Sequence, residues 1–209
     1  MSKEILPGSC RGVRYNAFTL IELVVVVGLI LVLTGLVLST VGYARKKGAR
    51  ARAETEIAAM SAALESYKSD NAVYVRGPAS ALPVGSITIP ANVTDTLDAK
   101  AYRDPSNATY GQASLYLYTQ LSGDVTGNQQ ATNKSYFTFK PQMLSIDSNG
   151  FVTAIKDPFG NSYGYSTAYQ NDPNTGYNPT FDLWSTAGVA PSPTPAPPAT
   201  QQDLWIKNW

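Results

Sequence analysis

The sequence of 209 residues contains no histidine and a single cysteine, Cys10, and only 15% of its residues are charged. Histidine is the commonest general base and metal ligand, so its absence excludes Ser-His-Asp and Cys-His catalysis and HExxH zinc sites. A single cysteine excludes an intramolecular disulfide and a CxxC metal site. No phosphate-binding GxxxxGK[ST] or GxGxxG pattern is present, and the net charge of +1 gives no nucleic-acid footprint. The composition therefore predicts a chain that is not an enzyme and binds no nucleic acid.

The apolar residues concentrate near the amino terminus. Leu23–Ala44 is an uncharged run of 22 residues, and about 20 apolar residues in a helix span a bilayer core of roughly 30 Å. A secretory signal peptide has a shorter core of about 7–15 residues, followed by small residues at a cleavage site. Here Arg45–Lys47 follow the run. The pattern predicts a transmembrane segment over residues 18–44 and not an ordinary signal peptide.

Glu22 is an acid at the head of this apolar segment. A charged side chain inside a membrane is costly and usually has a partner, and no basic residue lies within the run. One interpretation is an acid that reaches the membrane edge. The other is that the chain is cut before Phe18. A new α-amino group would then lie four residues from Glu22 on the same helical face, and it would supply a cation within one subunit or to a neighbour.

Residues 17–26 read AFTLIELVVV, which resembles the processing site of type IV pilins and type II secretion pseudopilins. The resemblance extends over residues 11–75, although Ala17 replaces the usual glycine before the cut. It implies a leader at residues 1–17, cleavage between Ala17 and Phe18 by a prepilin peptidase, and N-methylation of Phe18. It also implies that Glu22 contacts the amino terminus of a neighbouring subunit during assembly.

Apolar residues recur at spacings of three and four after the membrane segment, as on one face of a helix. They are Ala53, Ile57, Met60, Leu64 and Tyr67. We therefore predict one helix from Phe18 to about Ser69, with an amphipathic half over residues 45–70. The basic residues of 45–52 are interpreted either as a solvated collar at the lipid surface or as partners for acids of neighbouring subunits.

Gly77–Pro78 marks the end of the helical region, and short strands and turns are predicted after it. The predicted strands are Ile87–Ile89, Tyr136–Phe139, Met143–Asp147 and Phe151–Ile155, the last two joined as a hairpin through Ser148–Gly150. Leu115–Tyr118 fits either a strand or a helix. Gly123–Asn133 is predicted to be a polar loop.

Three motifs occupy the carboxyl-terminal part: DPFGNSY at 157–163, FDLWS at 181–185 and DLWIKNW at 203–209. In this order they resemble the end of the G-type, or major, pseudopilin of type II secretion, where they close the sheet. Phe159 and Ser162 depart from the family pattern. The matching residues are Asp157, Pro158, Gly160, Asn161, Phe181, Asp182, Asp203 and Trp209.

In that family the loop before the last motif is acidic and binds calcium. Residues 187–198 carry no carboxylate in this sequence, and calcium prefers six to eight oxygen ligands, usually with several carboxylates. We therefore expect no cofactor and no metal site, and Asp203 is the single weak calcium candidate. The Pro-rich loop at 190–198 is expected to be stiff.

The resemblance implies an α+β pilin fold, in which a long amino-terminal helix packs on a small antiparallel sheet and residues 71–209 form a β-rich periplasmic body. The implied function is that of a structural subunit of a type II secretion pseudopilus, polymerising after leader cleavage to support protein export. Implied partners are other copies of the chain, minor pseudopilins, the prepilin peptidase and the inner-membrane assembly platform. Two alternatives stay open: a type IV pilin of a surface fibre, and a monomeric membrane-anchored binding module.

The implied location is a single-pass inner-membrane protein with its body in the periplasm, and then the periplasmic pseudopilus. The distribution of basic residues on the two sides of the membrane segment predicts the opposite orientation. The leader carries Lys3, Arg11 and Arg14 less Glu4, whereas residues 45–52 carry five basic residues. A count of basic residues alone would place the carboxyl-terminal side in the cytoplasm, and we follow the resemblance.

Overall fold

A computed structural model describes residues 18–101, 105, 107–189 and 204–209. The predicted leader, the Pro-rich loop at 190–198 and Asp203 lie outside these residues. The chain divides into two compact units, Met1–Arg45 and Lys46–Trp209. Helix α1 begins in the first unit and ends in the second, and all other elements belong to the second.

Helix α1 spans Leu20–Asn71, 52 residues, so the predicted helix from Phe18 to about Ser69 is confirmed to within two residues at each end. The helix is long and apolar enough to cross a membrane, judged by length and composition. Every side chain from Phe18 to Val37 is exposed. Helix α1 ends at Asn71, because the next residue, Ala72, has a left-handed φ of 63° that breaks the helical path. This end comes before Gly77–Pro78, where the sequence pattern predicts it.

The second half of α1 buries the predicted apolar stripe. Ala53, Met60 and Leu64 are completely buried, Ile57 is 4% exposed and Tyr67 is partly buried. These side chains join one core with the strands and with helix α3, Ala108–Ser122. The spacing of three and four therefore selected the buried face correctly, because it matches the 3.6-residue helical period.

The strands are short and antiparallel: β1 Leu82–Val84, β2 Ile87–Ile89, β3 Leu144–Ile146, β4 Val152–Ile155, β5 Gly164–Ser166, β6 Asp182–Ser185 and β7 Ile206–Lys207. A short helix α2, Val93–Thr96, precedes α3, and single 3₁₀ turns occupy Pro141–Met143 and Ala168–Gln170. The chain is thus of the mixed α+β class, as predicted. The strand Ile87–Ile89 and the hairpin of β3 and β4 are confirmed.

The prediction of one small sheet is wrong. Within the described residues the strands form three separate sheets: β1-β2, β3-β4 and β5-β6-β7. These strands of two to four residues pair with their sequence neighbours. Helix α3 packs against strands of all three sheets, and an isolated antiparallel bridge between Lys156 and Ser162 links the end of β4 to the approach to β5.

Two local predictions are resolved by α3. Leu115–Tyr118 is helical, inside an element capped by Asn107, whose side chain accepts the Thr109 N–H at 2.9 Å. The predicted strand at Tyr136–Phe139 is wrong. The N–H groups of Tyr136 and Phe137 donate to the Leu121 carbonyl at 2.8 and 3.0 Å, which satisfies the end of α3.

Candidate functional site

Thr19 and Glu22 bind each other at the start of α1. The Thr19 N–H donates to Glu22 Oε2 at 2.9 Å, and the Thr19 hydroxyl donates to the same oxygen at 2.7 Å. The Glu22 N–H lies 3.3 Å from Thr19 Oγ1. This reciprocal pair is the capping box T-x-x-E, in which a residue before the first turn and a glutamate three positions later satisfy two otherwise free helical N–H groups.

The capping box gives Glu22 polar partners without a cation. Among residues 18–101, 105, 107–189 and 204–209, no basic side chain forms an ion pair with Glu22. Thr19 and Glu22 both follow the predicted cut, so cleavage would leave their backbone groups intact. Phe18 is 84% exposed, and Ala17 lies outside the described residues. This function of Thr19 was not predicted from the sequence, although the three-residue spacing between Thr19 and Glu22 is typical of a capping box.

The first carboxyl-terminal motif is a turn built on Asp157. Its Oδ1 accepts the N–H groups of Phe159 and Asn161, each at 2.9 Å. Its Oδ2 accepts the Ser185 hydroxyl at 2.5 Å, and Gly160 supplies the positive φ of 94° that the turn requires. The predicted turn is confirmed, and Asp157 joins the first motif to Ser185 of the second.

The second motif contains a further buried acid, Asp182. Its two oxygens accept the N–H groups of Tyr177 and Asn178 at 2.9 Å each, which holds the loop before β6. The preceding Phe181 is 4% exposed, and its ring lies 5.1 Å from that of Tyr74. Both predicted residues of this motif are therefore structural in their contacts.

The third motif pairs with the second along β6 and β7, with Ser185 opposite Ile206. Asn208 extends the pairing through its side chain: Oδ1 accepts the Leu183 N–H at 2.9 Å, and Nδ2 donates to the Phe181 carbonyl at 3.2 Å. Asn208 was not predicted as a functional residue. Its neighbours in the sequence do not indicate that its side-chain amide would hydrogen-bond to the backbone of the adjacent strand.

The rings of the second and third motifs form a cluster centred on Trp184, which is completely buried. The Trp184 indole is parallel to Trp205 at 5.9 Å and perpendicular to Tyr110 at 5.6 Å between ring centres, and its N–H donates to the Tyr110 hydroxyl at 3.2 Å. Trp209, predicted as a motif residue, lies 5.8 Å from Trp184. These are offset and edge-on arrangements that aromatic pairs favour.

The described residues of the three motifs thus meet as a packing and hydrogen-bonding unit. No group of three or more His, Cys, Asp or Glu that could hold a metal ion occurs within the described part of the chain. Asp203, the calcium candidate, falls outside that part. The oxygens of Asp157 and Asp182 are directed at N–H and O–H donors of the protein itself.

Burial raises the pKa of Asp157 from its ordinary value of 3.8, and the hydrogen bonds from Ser185, Asn161 and Phe159 lower it in part. Burial likewise raises the pKa of Asp182, against the bonds from Tyr177 and Asn178. For both acids the folded chain holds the proton more tightly than the unfolded chain. Their contribution to stability is therefore greatest below pH 3.8 and declines as the pH rises through the raised folded-state pKa.

We expect Asp157→Ala to destabilise the chain by about 2–4 kcal/mol, because it removes the acceptor of the buried Ser185 hydroxyl and of the half-buried N–H groups of Phe159 and Asn161. Asp157→Asn should cost less, about 1 kcal/mol, because its amide oxygen retains both N–H bonds and its NH₂ can donate to Ser185. The Asn variant should also flatten the part of the pH dependence that Asp157 contributes. Thermal unfolding of the full chain in detergent from acidic to neutral pH, followed by the near-ultraviolet signal of the tryptophans, measures both effects. Equal destabilisation by the two substitutions would contradict this interpretation.

No protein-family model matches this chain, and neither a curated protein nor a solved structure matches it.

Proposed function

We propose that this chain is a pilin-like structural subunit, specifically a pseudopilin of a type II secretion system. The observation that carries the proposal is helix α1. One helix of 52 residues supplies an exposed, predominantly apolar run from Leu20 to Val37 and, later, a stripe buried in an α+β unit. An apolar surface of that length requires lipid or the same surface of other copies, and a pilin fold provides each environment in turn.

In this proposal the subunit is first a single-pass inner-membrane protein with its second unit in the periplasm. Removal of residues 1–17 and N-methylation of Phe18 prepare it for polymerisation. The apolar runs of neighbouring copies then pack together and stay out of water after they leave the lipid, since exposure to water would cost roughly 25 cal/mol for each Å². The three carboxyl-terminal motifs would close the surface of each subunit, in keeping with their shared packing unit around Trp184.

The capping box favours a second candidate, a membrane-anchored module that does not polymerise. In that case Glu22 serves as an ordinary helix-capping residue, bound by Thr19 at 2.7 and 2.9 Å, and the acid needs no neighbouring amino terminus. The two functions differ in what happens at Ala17 and Phe18. A pseudopilin is cut there, whereas an anchor retains the preceding residues.

The test is the intact mass and amino-terminal sequence of the protein purified from its native membranes. We expect a terminus at Phe18 carrying one additional methyl group. As controls, Ala17→Gly should preserve processing because it restores the usual residue, and Ala17→Lys should block it because the resemblance implies a small residue before the cut. An unprocessed terminus at Met1 or Ser2 would reject the pseudopilin and support the simple anchor.

A further inference from the structure

A basic cleft lies beside α1 in the second unit. Its volume is about 470 Å³, and it is lined by Ala51, Arg52, Thr55, Glu56, Lys140 and Gln142. Arg52 belongs to α1, whereas Lys140 directly precedes the 3₁₀ turn at Pro141–Met143. Tertiary structure thus brings two cations together that are far apart in the sequence.

The cations of the cleft are incompletely neutralised by the protein. The Arg52 side chain is 52% exposed, and its distance to Glu56 Oε1 is 3.5 Å. Glu56 also accepts the Tyr163 hydroxyl at 2.7 Å through Oε2, so this carboxylate is shared with the core. Lys140 is exposed, and no described residue forms an ion pair with it. Two cations therefore face one acid.

The cleft lies near the amino-terminal end of the second unit. Arg52 follows Lys46 by six residues, about 9 Å along a helix, and Lys46 comes immediately after the apolar segment and Arg45 in the sequence. Arg52 thus follows the apolar segment within about two turns of helix, and long basic side chains at such a position can extend their charged ends toward a membrane interface.

We propose that this cleft binds the phosphate of an anionic phospholipid headgroup. The planar Arg52 guanidinium donates to two phosphate oxygens at once, and the Lys140 ammonium supplies a second positive charge. The Gln142 amide adds a neutral donor at the rim of the cleft. The proposal rests on the membrane anchoring described above and is independent of filament formation. It differs from a general basic collar because it assigns lipid selectivity to Lys140, which is distant from α1 in sequence.

The experiment uses the full chain in nanodiscs that contain both phosphatidylglycerol and phosphatidylcholine. Native mass spectrometry then counts the lipids that stay bound to the ejected protein. We expect the wild type to retain phosphatidylglycerol preferentially, and Arg52→Gln and Lys140→Gln each to reduce this preference about fivefold, since one basic residue near an anionic surface contributes about that much. Lys156→Gln is the matched control, because it removes the same charge outside the cleft and should leave the preference unchanged.

Four results would overturn the headgroup site. They are an absence of preference in the wild type, an unchanged preference in both cleft variants, an equal loss in Lys156→Gln, and full competition by inorganic phosphate, which would indicate a site for free anions. If the cleft variants instead keep the lipid preference but lose chemical crosslinking between copies, Arg52 and Lys140 bind acids of a neighbouring subunit. Failure of the wild type to insert into nanodiscs would reject the membrane anchor itself, a separate outcome that removes the basis of the site.

Discussion

Glu22→Ala should leave membrane insertion intact and reduce incorporation into filaments about tenfold or more. Insertion depends on the uncharged run Leu23–Ala44, which the substitution does not alter. Incorporation, in the proposed function, depends on a bond between the Glu22 carboxylate and the amino terminus of a neighbouring Phe18. A charge-assisted hydrogen bond of ordinary strength changes an association constant by about that factor.

Glu22→Gln separates this charge pairing from helix capping. Glutamine serves in a capping box as glutamate does, so the bonds with Thr19 are retained while the negative charge is removed. If the charge carries assembly, Glu22→Gln will assemble as poorly as Glu22→Ala. If the capping box is what matters, the Gln variant will behave as the wild type, and Thr19→Val will reproduce the Ala defect.

The measurements are membrane fractionation for insertion and the amount of chain in sheared or crosslinked filaments for assembly, with Thr19→Ser as the control that preserves the cap. Electron microscopy of the same sheared material distinguishes the long surface fibres of a type IV pilin from a pseudopilus. Normal incorporation of Glu22→Ala into filaments would show that assembly does not depend on a bond between Glu22 and the amino terminus of a neighbouring subunit.

Trp184→Ala should destabilise the second unit by about 3–5 kcal/mol, the range for removing a large buried aromatic side chain. Trp184 is completely buried and contacts Tyr110, Trp205 and Trp209. The loss would leave a cavity where the second and third motifs meet. Because folded domains are stable by only about 5–15 kcal/mol, this single change removes much of the available stability.

Gly164→Ala tests the same contact from the opposite strand. A Cβ at Gly164 would lie 2.2 Å from the Trp184 ring, so β5 can accept only glycine beside this indole. We expect a cost of about 1–3 kcal/mol from overpacking, and partial rescue by combining Gly164→Ala with Trp184→Leu. Gly111→Ala, inside α3, is the control for adding a methyl group without a clash, because its added Cβ meets nothing closer than Ser162 Oγ at 4.0 Å and alanine is favoured in a helix.

Chemical denaturation of the full chain in detergent, followed by tryptophan fluorescence and circular dichroism, measures these differences. Should Trp184→Ala prevent folding, the milder Trp184→Phe keeps an aromatic ring, loses the bond to Tyr110 and should cost about 1–2 kcal/mol. A wild-type unfolding midpoint in Gly164→Ala would show that the close approach of β5 to Trp184 is relaxed in solution.

Sequence periodicity was sufficient where structure follows from local chemistry. The uncharged run from Leu23 and the spacing of Ala53, Ile57 and Leu64 determined α1, because a helix repeats every 3.6 residues whatever surrounds it. The Asp157 turn and the β3-β4 hairpin were predicted for the same reason: both depend on residues within a few positions. The failed strand at Tyr136–Phe139 has the alternation of a strand, but its N–H groups were taken by α3.

The sequence by itself thus determined the long apolar helix, the mixed fold class and the turn chemistry of the carboxyl-terminal motifs. Tertiary structure alone decided the division of the strands into three sheets and the hydrogen bond from the Leu183 N–H to the Asn208 side chain. It also decided that Arg52 and Lys140 line the same cleft. The physical reason is the distance along the chain over which each kind of interaction acts. Helical periodicity and turn preferences act over a few residues, whereas pairing and cleft formation depend on which distant surfaces the folded core brings together.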